Sequence, residues 1–174
     1  GSLWAMGNNG SGKLGNGNSI HQYTPIKSVD ENVTISSAGN GHSLFIKNDG
    51  SLWAMGSNGA GRLGDGTNTN RSTPVKVVDE NVSYASAGYE HSAFVKNDGS
   101  LWAVGNNSRG QLGDGTTTTR STPVKVVDKN VTQVATWGHT MFIKNDGSLW
   151  GMGNNGSGRI GDDTTAYRST PVKV

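Results

Sequence analysis

One stretch decides the fold of this chain, Gly50-Ser51-Leu52-Trp53-Ala54-Met55-Gly56, because it recurs along the sequence. The tetrapeptide Gly-Ser-Leu-Trp begins at Gly1, Gly50, Gly99 and Gly147, at spacings of 49, 49 and 48 residues. A Thr-Pro proline follows each of these tryptophans after 21 residues, and a histidine precedes each of the last three by 11 residues. A period of this length indicates one supersecondary unit that is copied and packed against its neighbours.

The composition restricts the class of protein. Only 32% of the residues are hydrophobic and 27 are glycine, which excludes a helical bundle and favours an all-β protein rich in turns. A net charge of +2, with lysine and arginine spread along the copies, argues against a nucleic-acid partner. The chain has no cysteine, so it can form neither a disulfide nor a thiolate metal site. No apolar run approaches the ~20 residues of a membrane span, so no membrane partner is expected.

Each unit has the pattern of four short strands. Asn48-Asp49-Gly50 lies between two of them and predicts a tight hairpin whose central residues have positive φ. No segment shows a 3.6-residue period, so no helix is predicted. Four locally connected strands form a small antiparallel sheet, and copies stacked about an axis form a β-propeller. In the second copy the predicted strands are Val33–Ser37, Ser43–Lys47, Leu52–Met55 and Pro74–Val77.

At these motifs the chain resembles the regulator-of-chromosome-condensation repeat family. The resemblance rests on the run Leu-Trp-x-x-Gly-x-Asn-x-x-Gly-x-Leu-Gly-x-Gly from Leu52 to Gly66, on Pro74, and on Ala-Gly-x-x-His-Ser from Ala87 to Ser92. It covers the whole chain. The resemblance implies a propeller, typically of seven four-stranded blades, that works by binding other proteins. The fourth copy departs from the pattern, since Asp163 replaces the last motif glycine and Thr136-Trp137 replaces Ala-Gly.

The halves of the repeat are unequal in number. Four tryptophan halves and three histidine halves make complete blades at 28–78, 79–127 and 128–174, preceded by a half blade at 1–27. We therefore expect an all-β partial ring whose open strand edges are free to pair with a partner. One interpretation is a segment of a longer propeller chain, and another is self-association of copies to complete a ring. A designed or recently amplified repeat is a third interpretation, which the near-identity of the second and third copies favours.

The candidate chemical motifs have structural explanations. Gly10–Gly15, Gly59–Gly64 and Gly156–Gly161 match a phosphate-binding pattern, but no helix follows, so we interpret them as turns. Three aspartates, each six residues before an arginine, predict exposed loop salt bridges worth ~0–1 kcal/mol each. No nucleophile and base or carboxylate pair stands apart from the repeats, so we predict no catalysis, no cofactor and no metal. The predicted pairs are Asp65 with Arg71, Asp114 with Arg120, and Asp162 with Arg168.

The repeated aromatic and histidine residues are predicted to form the structural core. Each repeated tryptophan should be buried between blades and donate its N–H to a carbonyl. The histidines come one per blade, which favours a hydrogen bond to the backbone of a neighbouring blade over a metal site. These core residues are Trp4, Trp53, Trp102, Trp150, His42, His91 and His139.

Residues that differ between near-identical copies mark the candidate binding site. The turn before each histidine varies, and in a propeller such turns line one rim, where ligands dock. Neutral drift is the alternative explanation, because loops vary freely. The predicted rim residues are Asn40, Tyr89, Glu90, Trp137, Arg109 and Tyr167.

The favoured function is a non-enzymatic scaffold that binds a protein partner through this rim. A carbohydrate-binding propeller, with aromatic rings that stack on sugars, is the alternative. The family resemblance also permits guanine-nucleotide exchange on a small GTPase, but that activity would need a protruding insertion, and no copy contains one.

Overall fold

The computed structural model describes all 174 residues and contains fourteen β-strands and no α-helix. The chain therefore has no helix that could cross a membrane. The strands are β1 (Leu3–Gly7), β2 (Gln22–Val29), β3 (Val33–Ala38), β4 (His42–Lys47), β5 (Leu52–Gly56), β6 (Arg71–Val78), β7 (Val82–Ala87), β8 (His91–Lys96), β9 (Leu101–Gly105), β10 (Arg120–Val127), β11 (Val131–Thr136), β12 (His139–Lys144), β13 (Leu149–Gly153) and β14 (Arg168–Lys173).

The strands form one two-stranded sheet and three four-stranded sheets. The sheet β1-β2 comes first, followed by β3-β4-β5-β6, β7-β8-β9-β10 and β11-β12-β13-β14. All pairs are antiparallel and join strands that are adjacent in the sequence. The prediction of a partial propeller is confirmed: the chain forms an open ring of three blades and a half blade.

The last strand of each four-stranded sheet is longer than predicted. Strand β6 begins at Arg71, three residues before Pro74, because Arg71 pairs with Gly56 after a register shift. Pro74 lies on this outermost strand of the sheet, where a residue without an N–H leaves one side of the ladder free.

The Asn-Asp-Gly turn differs from its prediction. Only Gly50 has a positive φ, of 77°, whereas Asp49 does not, so the expectation of two such residues was wrong. The Gly50 N–H donates to the Lys47 carbonyl at 2.9 Å, and the Lys47 N–H donates to the Ser51 carbonyl at 3.0 Å. This is a turn followed by a glycine bulge, which needs one left-handed residue instead of two.

The core lies between successive sheets. One face of the first four-stranded sheet is aliphatic, and it packs against an alanine and aromatic face of the second sheet. The same arrangement joins the second sheet to the third. The buried residues of the first interface are Leu44, Ile46, Leu52, Ala54 and Leu63 on one side and Val82, Ala85, Ala87 and Phe94 on the other.

Trp102 and Trp150 pack against these two interfaces, and the tryptophan of each four-stranded sheet stacks on a phenylalanine. Trp53 stacks on Phe45 of the adjacent strand, with ring centroids 6.2 Å apart, and Lys47 Nζ lies 5.1 Å from the Trp53 ring. The Trp53 Nε1–H donates to the Ser51 hydroxyl at 2.8 Å, whereas the sequence predicted a carbonyl acceptor. The serine lies two residues earlier in the same chain segment, so each copy satisfies its own indole. Trp4, which has no preceding sheet to cover it, is 55% exposed.

A histidine connects each pair of full sheets. His42 Nε2 lies 2.8 Å from the Ser92 hydroxyl of the next sheet, and that hydroxyl donates to the Arg62 carbonyl at 2.7 Å. Because the hydroxyl proton is used on the carbonyl, Nε2 must carry the proton that His42 donates. His91 makes the same bond to Thr140 at 2.8 Å. The predicted bond to the backbone of a neighbouring blade was therefore wrong: each histidine bonds to a side-chain hydroxyl of the next sheet, and that hydroxyl donates to a carbonyl of the histidine's own blade.

Burial controls the charge of these two histidines. Both side chains are fully buried, and their Nδ1 atoms have no hydrogen-bond partner. Burial lowers the pKa of His42 to about 3, with a further contribution from the nearby Arg62 charge. It also lowers the pKa of His91 to about 3. His139 has no following sheet and is only partly buried; burial still lowers its pKa.

The glycine-rich loops are structural turns that pack on the next sheet. Gly61 has a φ of 68°, and a Cβ at this position would collide with the backbone of Ser121 in the next sheet. The Gly66 N–H donates to the Ser121 carbonyl at 3.0 Å. These glycines therefore allow close approach between sheets, which explains the motif without a phosphate ligand.

A buried asparagine organises each of these loops. The Asn58 amide N–H donates to Asp65 Oδ1 at 2.9 Å, and the Asn58 Oδ1 accepts a hydrogen bond from the Leu63 N–H at 3.0 Å. Asp65 also pairs with Arg71 at 2.7 Å, and its side chain is only 3% exposed. The carboxylate of this salt bridge is therefore buried, whereas the sequence predicted an exposed ion pair. Burial alone would raise the pKa of Asp65, but hydrogen bonds from Thr67, Arg71 and Asn58 outweigh burial and lower it.

The first copy replaces this ion pair by neutral groups, and this suggests a test. The Asn16 side-chain oxygen accepts a hydrogen bond from the Asn9 amide at 3.0 Å, and this bond corresponds to the one that Asp65 accepts from Asn58. Gln22 stands at the position of Arg71. We expect Asp65→Asn to lower the free energy of unfolding by about 1–3 kcal/mol, because it leaves Arg71 without its carboxylate. Urea denaturation measures this loss.

The matched control is the double variant Asp65→Asn, Arg71→Gln, which copies the first repeat. It should recover part of the lost stability, because neither side chain then carries an unpaired charge. A single variant as stable as the wild type would show that the ion pair contributes nothing.

Candidate functional site

The turns before the histidines and the glycine-rich loops lie at one edge of the sheets. Gly56, which begins a glycine-rich loop, pairs with both His42 and Arg71. The same pairing recurs in the next sheet, where Gly105 pairs with His91 and Arg120. We call this edge the rim. All six predicted binding residues lie on it.

Tyr89 and Trp137 form an exposed aromatic pair across two blades. Their ring centroids are 5.6 Å apart at an interplanar angle of 64°. The Tyr89 N–H donates to the Trp137 carbonyl at 2.9 Å. Tyr89 is 47% exposed and Trp137 is 56% exposed. The backbone therefore fixes the pair while leaving much of both rings open to a ligand.

Arg109 lies over the ring of Tyr167. Its guanidinium carbon is 5.7 Å from the ring centroid, which is a cation–π contact. The Arg109 N–H donates to Gln111 Oε1 at 2.9 Å, which holds the loop in place. Arg109 makes no ion pair, so its charge is available to a ligand.

Glu90 is held in place by two neighbours. Its carboxylate accepts from the Asn106 amide at 2.9 Å, and it lies 3.7 Å from the Arg62 guanidinium. Arg62 also donates to the Tyr89 carbonyl at 3.1 Å. Burial lowers the pKa of Arg62, and the charge of Glu90 acts in the opposite direction. The carboxylate is thus fixed beside the aromatic pair by groups from the loop of its own blade and the loop before it.

These residues surround a small cavity of about 180 Å³. Four predicted residues line it: Tyr89, Glu90, Arg109 and Trp137. Tyr167 adjoins it through Arg109. Asn40 does not line the cavity, because it lies one interface earlier, where its N–H donates to the Gly88 carbonyl at 3.2 Å.

Sequence reasoning missed several residues of the cavity wall. Ser108 and Gln111 lie where the other copies have glycine and a basic residue, so the third copy alone breaks the glycine pattern. That break was a usable signal. Asn106 gave no signal, since its role depends on the position of Glu90. The residues that were missed are Asn106, Ser108, Gln111 and Gly138.

The histidine and acidic side chains of the chain do not cluster as metal ligands do. No three histidine or acidic side chains of the chain lie close enough together to hold a metal ion. The site offers the aromatic rings of Tyr89, Trp137 and Tyr167, the Glu90 carboxylate and the Arg109 guanidinium. This arrangement can bind a ligand through stacking and ion pairing.

The fold and its motifs identify a repeat propeller, and the sequence shows which family it belongs to. The family described as regulator of chromosome condensation (RCC1) repeat matches residues 1–46, 49–95 and 98–143. A second description of the same repeat matches residues 33–62, 82–111 and 134–159. The chain therefore belongs to the RCC1 repeat family. A search of the curated proteins finds no match.

Three solved structures share the fold. Human WBSCR16 is 25% identical, with a TM-score of 0.81, over 98% of this chain and 48% of its own. Prp20p from Saccharomyces cerevisiae, described with its binding to Gsp1p and histones, is 18% identical, with a TM-score of 0.86, over 100% of this chain and 46% of its own. Yeast RCC1 (Prp20) bound to Kap60 is 20% identical, with a TM-score of 0.85, over 100% of this chain and 44% of its own. This chain thus spans less than half the length of each of these proteins.

Proposed function

We propose that this chain is a non-enzymatic protein-binding scaffold that recognises its partner through the rim cluster, defined as Tyr89, Glu90, Arg109, Trp137 and Tyr167. One observation carries the proposal. Tyr89, Glu90, Arg109 and Trp137 are separated in the sequence and differ from the equivalent residues of the other copies, yet they line one cavity.

The chemistry of the cluster suits a protein surface. Tryptophan, tyrosine and arginine are the residue types most enriched among those that dominate binding energy. Trp137 and Tyr89 are held by backbone hydrogen bonding, and Arg109 is held by Gln111 and Tyr167. A preorganised cluster loses little conformational entropy on binding, so more of the contact energy appears as affinity.

The related structures support a protein partner. Prp20p is described with its binding to Gsp1p and histones, and yeast RCC1 has been seen bound to Kap60. These partners belong to those proteins. For this chain we infer only the class of partner, a protein. Completion of the open ring by self-association is a further part of the proposal, since both end faces expose apolar side chains such as Trp4 and Leu149.

The rim is tested with a displayed library of random peptides. Peptides selected on the wild-type chain should bind the variant Trp137→Ala, Tyr89→Ala at least ~10-fold more weakly, because truncation of aromatic anchors typically costs 2 kcal/mol or more. Both side chains are half exposed, so the variant should keep the unfolding midpoint of the wild type to within a few degrees.

The matched control is Tyr23→Ala, which removes an exposed aromatic side chain from β2, outside the rim cluster. Selected peptides should bind this control as they bind the wild type. Equal binding to the rim variant would refute the rim site. A glycan array provides the other arm, because specific glycan binding that depends on Trp137 would favour the carbohydrate alternative.

A further inference from the structure

The side-chain acceptors of the rim cavity, the space of about 180 Å³ beside the rim cluster, already have partners within the chain. Asn106 Oδ1 accepts from the Ser108 N–H and from the Ser108 hydroxyl, each at 2.9 Å. It also accepts from the Gln111 amide at 3.0 Å. Gln111 Oε1 in turn accepts from the Arg109 N–H at 2.9 Å. The amide oxygens of the wall are therefore used to hold the loop.

The one carboxylate of the cavity is also committed. Glu90 accepts from the Asn106 amide and lies 3.7 Å from Arg62, whose side chain is only 10% exposed. No other carboxylate pairs with Arg62, and its Nε is buried without a hydrogen-bond partner. A basic ligand that took Glu90 would leave this buried guanidinium without a counter-charge, which is costly.

The free polar groups of the cavity are donors. The indole N–H of each repeated tryptophan donates to a serine hydroxyl, whereas the Trp137 indole N–H makes no hydrogen bond within the chain. The Arg109 guanidinium pairs with no carboxylate and contacts only the Tyr167 ring. A ligand that supplies acceptor oxygens and negative charge therefore complements this wall.

The position of Arg109 suits a carboxylate. A guanidinium stacked on an aromatic ring keeps its N–H groups free at the edge of the stack, where they can meet both oxygens of a carboxylate. The other copies have Ser11, Ala60 and Ser157 at this position, so only the third copy supplies the charge. The cavity is smaller than the ~300–1,000 Å³ pockets of drug-sized ligands, and its size suits one side chain.

We propose that the rim cavity binds an acidic side chain of the partner protein. The carboxylate of an aspartate or glutamate pairs with the Arg109 guanidinium, and a neighbouring apolar side chain of the partner packs on the Tyr89 and Trp137 rings. This inference rests on the proposed function and adds the chemistry of the segment that is bound. A basic segment would meet the Arg109 charge and compete with Arg62 for Glu90.

The probe is a set of peptides selected on the wild-type chain from a random library whose carboxyl ends are fused to the display protein. Side chains are then the only source of carboxylates, and the tightest peptides are made with amidated ends for titration calorimetry. Replacing one aspartate or glutamate of such a peptide by its amide should weaken binding about 10-fold, as expected for a charge-assisted hydrogen bond.

Arg109→Gln should weaken binding of the acidic peptides by the same factor, and the two changes together should weaken it by less than their product, because both remove one ion pair. Arg109 is exposed, so this variant should keep the unfolding midpoint of the wild type. The control of equal charge change is Lys129→Gln, an exposed lysine without an ion pair in the loop between β10 and β11, at the edge opposite the rim. It should leave the affinity unchanged.

Two further variants test the sign of the charge that is recognised. Glu90→Gln should bind the acidic peptides at least as tightly as the wild type, because it removes a negative charge from the wall. Arg109→Glu should reject these peptides and should recover affinity for versions with lysine in place of the acidic residue. Weaker binding of the selected peptides to Glu90→Gln would instead identify a basic ligand and overturn the proposal.

Failure of this inference and failure of the rim site give different results. Peptides that lose affinity for the Trp137→Ala, Tyr89→Ala variant but contain no essential acidic residue, or are indifferent to Arg109→Gln, would overturn the acidic partner and leave the rim site standing. Peptides indifferent to both the aromatic variant and Arg109→Gln, or a library that yields no binder, would overturn both.

Discussion

Leu101→Ala should lower the free energy of unfolding by about 2–5 kcal/mol, whereas Leu149→Ala should lower it by about 1 kcal/mol or less. The two leucines occupy the same position in successive copies, at the start of β9 and of β13. Leu101 is 0% exposed because the third full sheet covers it, and Leu149 is 38% exposed because no sheet follows. The difference between the two variants therefore measures what one neighbouring sheet contributes to one side chain.

Urea denaturation followed by tryptophan fluorescence measures both changes. The substitution, the strand position and the flanking residues are alike, so differences in helix or strand propensity cancel. Leu52→Ala, at the same position in the first full sheet and 1% exposed, should behave like Leu101→Ala. Equal losses for Leu101→Ala and Leu149→Ala would mean that the sheets are stable one by one. The account of stability by stacking of sheets would then fail.

The second large effect is a loss of stability in mild acid. His42 and His91 have pKa values of about 3 in the folded chain, chiefly because they are buried. The unfolded value is about 6.5. Between these two pH values the unfolded chain binds protons that the folded chain does not bind. Stability is therefore fully present above pH 6.5 and falls as the pH is lowered, by up to about 1.4 kcal/mol per pH unit for each histidine.

Urea denaturation at intervals from pH 7.5 to pH 4.5 tests this dependence. The lower limit avoids the aspartates, because hydrogen bonds hold the pKa of Asp65 and Asp114 below their ordinary value and their contribution is lost only at lower pH. The control is His42→Gln, His91→Gln, whose amide N–H groups can donate to the same hydroxyls without titrating. This variant should show a much flatter profile. A wild-type profile that is flat to pH 4.5 would contradict the burial of neutral histidines.

Both predictions concern the interfaces between the sheets. The leucines measure apolar burial between sheets, and the histidines measure the polar bond that crosses each interface. The His42 bond to Ser92 continues to the Arg62 carbonyl, so it connects one sheet to the next sheet and back to its own loop. Protonation of His42 would place a charge inside this interface without a partner. Acid should therefore loosen the contacts between sheets before the hairpins within them.

The sequence alone determined the architecture. The spacing of Gly-Ser-Leu-Trp, the turn at Asn48-Asp49-Gly50 and the absence of a helical period were sufficient to predict four-stranded sheets in an open ring. Such features are local or periodic, so they can be read without knowing which residues meet. The sequence predicted a tight turn with two residues of positive φ, whereas the structure has a turn with one such residue, Gly50, and a bulge. The pattern could not distinguish these two turns, because both use the same residue types.

Only the tertiary structure decided which residues meet. The buried state of Asp65, the serine acceptor of Trp53 and the hydroxyl between His42 and Arg62 all depend on contacts between atoms that the repeat pattern does not specify. The same is true of the convergence of Arg109 with Trp137, which lie on different blades. A periodic sequence determines the sheets because each sheet forms from neighbouring residues. The sites form between sheets, where geometry in three dimensions decides which side chains share a surface.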